Sequence, residues 1–208
     1  DGKPLFPERR AYSLSFQLSD PEVKLYQIVT QYVKEEMNRV DRFATDEKKR
    51  VAVGFALTVL QRRLASSPAA IHKSLQNRKK RLEKVLREAK LGSRADKITF
   101  DNLMNDFEDD EDLYDWLDDA HGDDVEELET ETVTYASAAS TVRELEEEIT
   151  TLKRMEKVAE AVKNSGMDKK WEQLSSHLQE KGRDENGKWR KMLIFSEHKD
   201  TVAYLVER

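Results

Sequence analysis

The chain has 208 residues, of which 38% are hydrophobic and 38% are charged, and it contains no cysteine. This charged share exceeds the roughly one quarter of an average domain and favours long, solvated helices over a compact globule. The lack of cysteine excludes disulfides and thiolate metal sites. No apolar run approaches the roughly 18 residues that span a membrane, and no signal-peptide pattern is present. We therefore expect a soluble, cytoplasmic protein without a membrane partner.

The net charge of −6 conceals an acidic block. Residues 98–142 contain 16 acidic residues and no lysine or arginine. The rest of the chain has 36 basic and 26 acidic residues, a net charge of +10. We interpret 98–142 as an acidic insertion in an otherwise basic protein.

The N-terminal elements are a strand followed by a helix. Residues 11–18 alternate between apolar and polar side chains, a pattern typical of a half-buried strand. Ser19 is a candidate N-cap, with Pro21 in the first turn and Glu22 three residues after the cap. This is a capping box, and it predicts a helix over about 20–39.

Two further helices are predicted on either side of a break at Ser66-Ser67-Pro68. The helix over about 46–65 is apolar over a wide arc, whereas the helix over 68–90 has a narrow apolar seam. The outer face of the latter is predicted to be strongly basic through Arg78, Lys79, Lys80, Arg81, Lys84 and Arg87.

A second narrow seam with heptad-like spacing predicts a helix over 141–163. The helices 68–90 and 141–163 cannot bury their apolar faces alone, so we expect them to pack as an antiparallel arm. Gly166 ends the second of them, and a shorter helix follows over about 168–180.

The C-terminal segment is a strand, turn and helix. Met192 to Phe195 form an unbroken apolar run, which suits a strand buried in a parallel sheet. The polar turn from Ser196 to Thr201 precedes a short helix. This strand needs neighbours that the remaining residues do not supply, and the first residue is not Met, so we expect a piece of a longer protein. An exposed strand edge also predicts a tendency to form homodimers.

The predicted fold is therefore mainly α, a helical bundle with a long antiparallel arm plus a minimal sheet of two short strands over about 11–18 and 191–196. Three regions are expected. Residues 1–67 hold a strand and helices, 68–165 hold the arm with its insertion, and 166–208 hold the return helix and the terminal strand.

Few residues in the sequence indicate a catalytic, cofactor or metal site. The chain has no phosphate-binding glycine loop, nucleophile elbow or zinc helix, so we predict no catalytic, cofactor or metal residues within it. The carboxylates of Glu108 to Asp112 lack the spacing of a calcium loop. The basic face of 68–90 is open to three interpretations: contact with nucleic-acid phosphates, a solvated face, or a face that holds the acidic block of the same chain.

Several segments together resemble the Swi/Snf-like, RapA-related branch of superfamily-two helicase-type ATPases. These are the alternating strand, Leu-Ser-x-Pro-Glu-x-x-x-Tyr from Leu18 to Tyr26, and Leu-Gln-Arg-Arg-Leu-Ala-Ser-Ser-Pro from Leu60 to Pro68. The fourth is Lys191 to Glu197, which is similar to motif IV of the second RecA-like lobe. The resemblance covers about 4–80 and 168–208, whereas 92–140 match nothing in the family.

The resemblance implies a fragment that follows the first RecA-like lobe and ends after motif IV, so that the two short strands would belong to an incomplete lobe. It implies ATP and Mg²⁺ for the longer protein, outside this chain, and a double-stranded nucleic acid as partner. It further suggests nucleic-acid or interlobe contacts at Arg62, Arg63, Ser196, His198 and Lys199.

The function implied is a non-catalytic fragment of an ATP-dependent DNA helicase or translocase, contributing part of the second lobe and a helical arm that contacts nucleic acid or a partner protein. The alternative is a helical protein-interaction module whose acidic surface docks a basic partner. A stand-alone enzyme has almost no support in the sequence.

Overall fold

The computed structural model describes residues 11–43, 47–91, 126, 129–130, 132–134, 136–139 and 141–208. Within them the fold is mainly α, as predicted. Six helices are delimited in this part of the chain: α1 Asp20–Phe43, α2 Glu47–Ser66, α3 Pro68–Leu91, α4 Val142–Asn164, α5 Lys169–Lys181 and α6 Lys199–Glu207. No helix among the described residues is long and apolar enough to cross a lipid bilayer. Most of the predicted insertion, including Glu108 to Asp112, lies outside the described residues.

The start of α1 shows the Glu22 half of the predicted capping box. Glu22 Oε2 accepts hydrogen bonds from the Ser19 backbone N–H at 2.7 Å and from its hydroxyl at 2.6 Å. Glu22 Oε1 also accepts the Lys169 backbone N–H at 3.1 Å. One carboxylate thus caps α1 and ties it to the first turn of α5, 147 residues away along the chain.

The break between α2 and α3 consists of Ser67 alone. Its hydroxyl accepts the Ala70 backbone N–H at 3.1 Å, so it caps α3, and Pro68 occupies the first helical position, where a missing N–H costs nothing. The sequence therefore predicted this boundary correctly.

Helices α3 and α4 pack antiparallel, and α1 and α2 complete the hydrophobic core with them. Lys90 pairs with Glu146 and Lys79 with Glu156, so the chain runs in opposite directions along the two helices. Helix α1 packs against α4, and α2 against α1 and α3. The largest buried apolar side chains of this core are Leu25, Leu57, Leu60, Ile71, Leu75, Leu82, Leu145, Leu152 and Met155.

Asp168 fastens the C-terminal helices to each other. One carboxylate oxygen accepts the Trp171 backbone N–H at 2.8 Å and caps α5, and the other accepts the Tyr204 hydroxyl of α6 at 2.9 Å. The buried carboxylate thus fixes α6 beside α5. Burial, reinforced by Asp168, raises the pKa of Tyr204 to about 12, which keeps the phenol protonated as a donor.

The two predicted strands are not formed. Residues 11–18 and 191–196 carry no strand, and no backbone ladder joins them. The predicted burial of Met192 to Phe195 is also wrong, because Leu193 and Phe195 are 85% and 88% exposed. A strand is stable only beside another strand, and the part of the chain that the structure describes offers these segments none.

The two segments nevertheless meet at one place. Leu14 and Phe16 lie across from Ile194 and Phe195, and together with Trp171 of α5 they line an open groove with a volume of about 300 Å³. The segments that sequence patterning assigned to one sheet are therefore neighbours, although without strand hydrogen bonds.

Candidate functional site

The five residues that the sequence nominated lie in two segments, at the end of α2 and the start of α6. The structure brings these segments together at a mixed-charge cluster, which also includes Glu126, Glu129 and Thr130. We call this group the α6 cluster. Its ionisable members are Arg62, Arg63, Glu126, Glu129, Glu197, His198, Lys199 and Asp200.

Arg62 bridges two carboxylates. Its Nη1 lies 2.7 Å from Glu129 Oε1, and its Nη2 is paired with Glu197 Oε1. Glu129 is 2% exposed, whereas Arg62 is 39% exposed and Glu197 55%. The guanidinium therefore connects the described end of the acidic block with Glu197, two residues after the apolar run.

Arg63 points inward and is 2% exposed. Its Nη1 donates to Ser74 Oγ at 3.0 Å, its Nη2 donates to Thr130 Oγ1 at 2.8 Å, and Asp200 Oδ2 lies 3.8 Å away. Burial lowers the pKa of Arg63, while Glu129 and Asp200 oppose that shift. A guanidinium enclosed in this way braces α2 against α3 and is not presented to a ligand.

His198 is fully buried, although a residue that contacts nucleic acid is expected to be exposed, and the contact itself stays a prediction. Its Nδ1 is 3.9 Å from Glu129 Oε2 and its Nε2 is 3.6 Å from Glu197 Oε2, both beyond hydrogen-bond distance, and neither nitrogen has a hydrogen-bond partner among the described residues. Burial, followed by Arg63 and Arg62, lowers the pKa of His198 to about 4. The imidazole is therefore neutral near pH 7.

The remaining nominated residues lie at the rim. Ser196 is half-buried and Lys199 is exposed, and the Lys199 backbone N–H donates to Glu126 Oε1 at 2.8 Å. The next hydroxyl along α6, that of Thr201, lies 2.7 Å from Ser66 Oγ and 2.8 Å from Ser67 Oγ. The α6 N-terminus is therefore bound both to the α2–α3 junction and to the acidic block.

Sequence reasoning missed a second polar site, inside the α3–α4 interface. Arg78 and Glu148 are both 0% exposed, and Arg78 Nη2 lies 2.8 Å from Glu148 Oε1. Arg78 Nε donates to the Tyr32 hydroxyl at 3.0 Å and Nη1 to the Val133 carbonyl at 2.7 Å. Burial opposes the charge of Arg78, but Tyr32 and Glu148 outweigh it and raise the pKa of the guanidinium.

We call Arg78, Glu148, Tyr32, Val133 and Ser137 the core network. Both oxygens of its carboxylate also accept hydrogen bonds. Glu148 Oε1 accepts the Tyr32 hydroxyl at 2.8 Å, and its Oε2 accepts the Ser137 hydroxyl at 2.5 Å. Helical spacing contained a signal for the network, since Arg78 falls three residues after Leu75 and four before Leu82 on the apolar seam. The predicted assignment of Arg78 to the basic outer face is therefore wrong.

The described end of the acidic block thus has partners within the chain. Glu129 pairs with Arg62, Thr130 accepts from Arg63, and Val133 and Ser137 join the Arg78 network. Arg62 and Arg63 lie on α2 and Arg78 faces the core, so these contacts leave the three interpretations of the exposed basic face of α3 open. No group of three or more histidine or acidic side chains suited to a metal ion occurs among the described residues.

Comparison with protein-family models, with curated proteins and with solved structures finds no match to this chain. The class that the fold defines is a mainly α bundle with two buried arginine–carboxylate sites.

Proposed function

We propose that the chain is a non-catalytic part of an ATP-dependent DNA helicase or translocase, contributing part of the second RecA-like lobe and a helical arm. ATP and Mg²⁺ belong to the longer protein in this proposal, and a duplex nucleic acid is its partner. The α3–α4 pair is the arm, which contacts nucleic acid or a partner protein.

One observation carries the proposal. The two segments that resemble the family, Leu60 to Pro68 and Lys191 to Glu197, contact each other across 135 residues through Arg62 and Glu197. The hydroxyls of Ser66 and Thr201 meet at the same junction. Segments of one conserved motor lobe are expected to be neighbours, whereas unrelated chance resemblances have no reason to be.

The exposed apolar segments support the same proposal. Leu193 and Phe195 face solvent, and Leu14 and Phe16 lie nearby across the groove. Apolar side chains concentrated in this way are typical of a surface that other structure covers, and motor-lobe strands would cover it. The expected roles of the nominated residues divide accordingly: Arg63 and His198 brace the junction, while Arg62, Ser196 and Lys199 lie where phosphates have access.

The alternative, a helical interaction module, would present a similar apolar surface to a protein partner. Its acidic surface has less support, since Glu126 and Glu129 already bind groups of this chain. Homodimer formation through the same surface stays a prediction, and light scattering at high concentration tests it.

Nucleic-acid-stimulated ATP hydrolysis by the complete gene product tests the proposal. Leu193→Asp with Phe195→Asp is expected to leave the melting temperature of the isolated chain unchanged, because both side chains are exposed there. The same pair is expected to abolish ATP hydrolysis in the complete product, whereas Gln179→Asp on the exposed face of α5 preserves it. A complete product without nucleic-acid-stimulated hydrolysis contradicts the proposal.

A further inference from the structure

A row of exposed cations runs along the outer face of α3. Lys73, Lys80, Lys84 and Arg87 are all exposed, and they follow each other at intervals of seven, four and three residues. At about 3.6 residues per turn these intervals keep the four side chains on one face, and at about 1.5 Å per residue the row is roughly 21 Å long. We call it the α3 stripe.

The carboxylates beside the α3 stripe are already engaged. Glu83 pairs with Lys153 at 2.9 Å, Glu146 with Lys90 at 2.5 Å, and Glu156 with Lys79. These pairs link α3 to α4 along the flank of the stripe. The interface between the two helices thus uses its acidic residues internally.

The stripe itself is poorly neutralised. Lys84 lies 3.9 Å from Glu88, and both side chains are more than half exposed. Lys73, Lys80 and Arg87 have no carboxylate within ion-pair distance in the part of the chain that the structure describes. Exposed pairs such as Lys84–Glu88 contribute little, so four cations remain available to an external anion.

The described end of the acidic block does not cover the stripe. It binds Arg62, Arg63 and Arg78, and Arg78 lies on the buried side of α3, opposite Lys80. On this helix the inward-facing Arg78 contacts Val133 and Glu148, whereas the cations of the stripe face solvent.

We propose that the α3 stripe binds the phosphate backbone of duplex DNA. The proposal rests on the proposed function and adds the surface of the arm that meets the nucleic acid. A straight row of cations about 21 Å long matches a linear polyanion whose successive nucleotides rise about 3.4 Å per strand. The stripe contains no aromatic or large apolar side chain, the anchors on which protein partners depend, and this favours phosphate over an acidic protein.

The test uses the isolated chain and a short fluorescently labelled DNA duplex, with binding measured by anisotropy over a series of salt concentrations. The stripe variant carries Lys73→Gln, Lys80→Gln, Lys84→Gln and Arg87→Gln. A matched control removes the same charge from other exposed positions on α1 and α4, through Lys24→Gln, Lys34→Gln, Arg154→Gln and Lys157→Gln. Circular dichroism shows whether each variant is folded.

The wild type is expected to bind with steep salt dependence, and the stripe variant is expected to lose at least about tenfold in affinity at low salt. The slope of log affinity against log salt should fall by about one for each lost phosphate contact, about four in all, and change less in the control. Equal losses in both variants, or no binding by the wild type at low salt, overturn the proposal. Tighter binding of polyglutamate than of DNA also overturns it. ATP hydrolysis by the complete product remains a separate measurement, so either proposal can fail alone.

Discussion

The core network and the α6 cluster use the same residue types, but they differ in how completely their polar atoms are paired. In the core network Arg78 donates through Nε, Nη1 and Nη2, and both oxygens of Glu148 accept hydrogen bonds. In the α6 cluster, within the part of the chain that the structure describes, Arg63 Nε and both nitrogens of His198 have no hydrogen-bond partner. A satisfied buried network fixes one arrangement, whereas an incompletely paired one stabilises its arrangement less.

The largest effect is expected from breaking the core network. Arg78→Met leaves the Glu148 carboxylate buried without a counter-charge, which should reduce the free energy of unfolding by about 3–5 kcal/mol. Combining it with Glu148→Leu should restore part of the loss, since no uncompensated charge remains. Urea denaturation measures both variants, with Arg154→Met on the exposed face of α4 as the matched control, expected within about 0.5 kcal/mol of wild type. A cost below about 1 kcal/mol for Arg78→Met would show that the pair is not the determinant of the interface.

Glu36 beside the core network and His198 of the α6 cluster are expected to respond to pH in opposite directions. Burial, followed by Glu148, raises the pKa of Glu36, beside the core network, to about 7 from 4.5. The folded state therefore holds a proton that the unfolded state has lost, and stability falls as the pH rises from 4.5 to 7. His198 is the reverse case, because its pKa of about 4 lies below the ordinary 6.5. Its contribution is complete above pH 6.5 and is lost as the pH falls towards 4.

Between pH 4.5 and 6.5 the two contributions largely cancel, so single variants should expose each one. With Glu36→Gln, the free energy of unfolding should rise with pH over this window, by at most about 1.4 kcal/mol per pH unit. With His198→Phe it should fall by a similar slope. Thermal or urea unfolding across pH 4 to 7.5 measures both. Parallel profiles for the two variants would contradict the opposed shifts.

Local signals in the sequence predicted most of the fold. The Ser19–Glu22 capping box, the break at Ser67 and the seams of α3 and α4 are encoded within a few residues of each other, and the helix bounds follow from them. The two strands were wrong because strand formation depends on a neighbour elsewhere, and periodicity in 11–18 or 191–196 carries no information about it.

The candidate site was predicted only in part, because contacts between segments that are distant in the chain determine it. The segments of Arg62 and His198 were nominated together through the resemblance, and they do meet, yet burial reverses the expected exposure of His198. Arg78 lies on the apolar seam in the sequence, but its charge favoured the outer face. Only the position of Glu148 on α4, 70 residues away, explains why a guanidinium is stable there.

The smallest effect is expected at the outer edge of the α6 cluster. Glu197→Gln removes one charge of a pair whose members are 39% and 55% exposed, so its cost should be about 0–1 kcal/mol. A double-mutant cycle with Arg62→Met should give a coupling energy below about 1 kcal/mol, against several for the Arg78–Glu148 cycle. Unfolding in urea measures both cycles. If the Arg62–Glu197 pair is weak, Arg62 can exchange it for a phosphate at little cost, as its proposed role requires. A coupling energy as large as that of the Arg78–Glu148 pair would instead indicate that Arg62 has a structural role only.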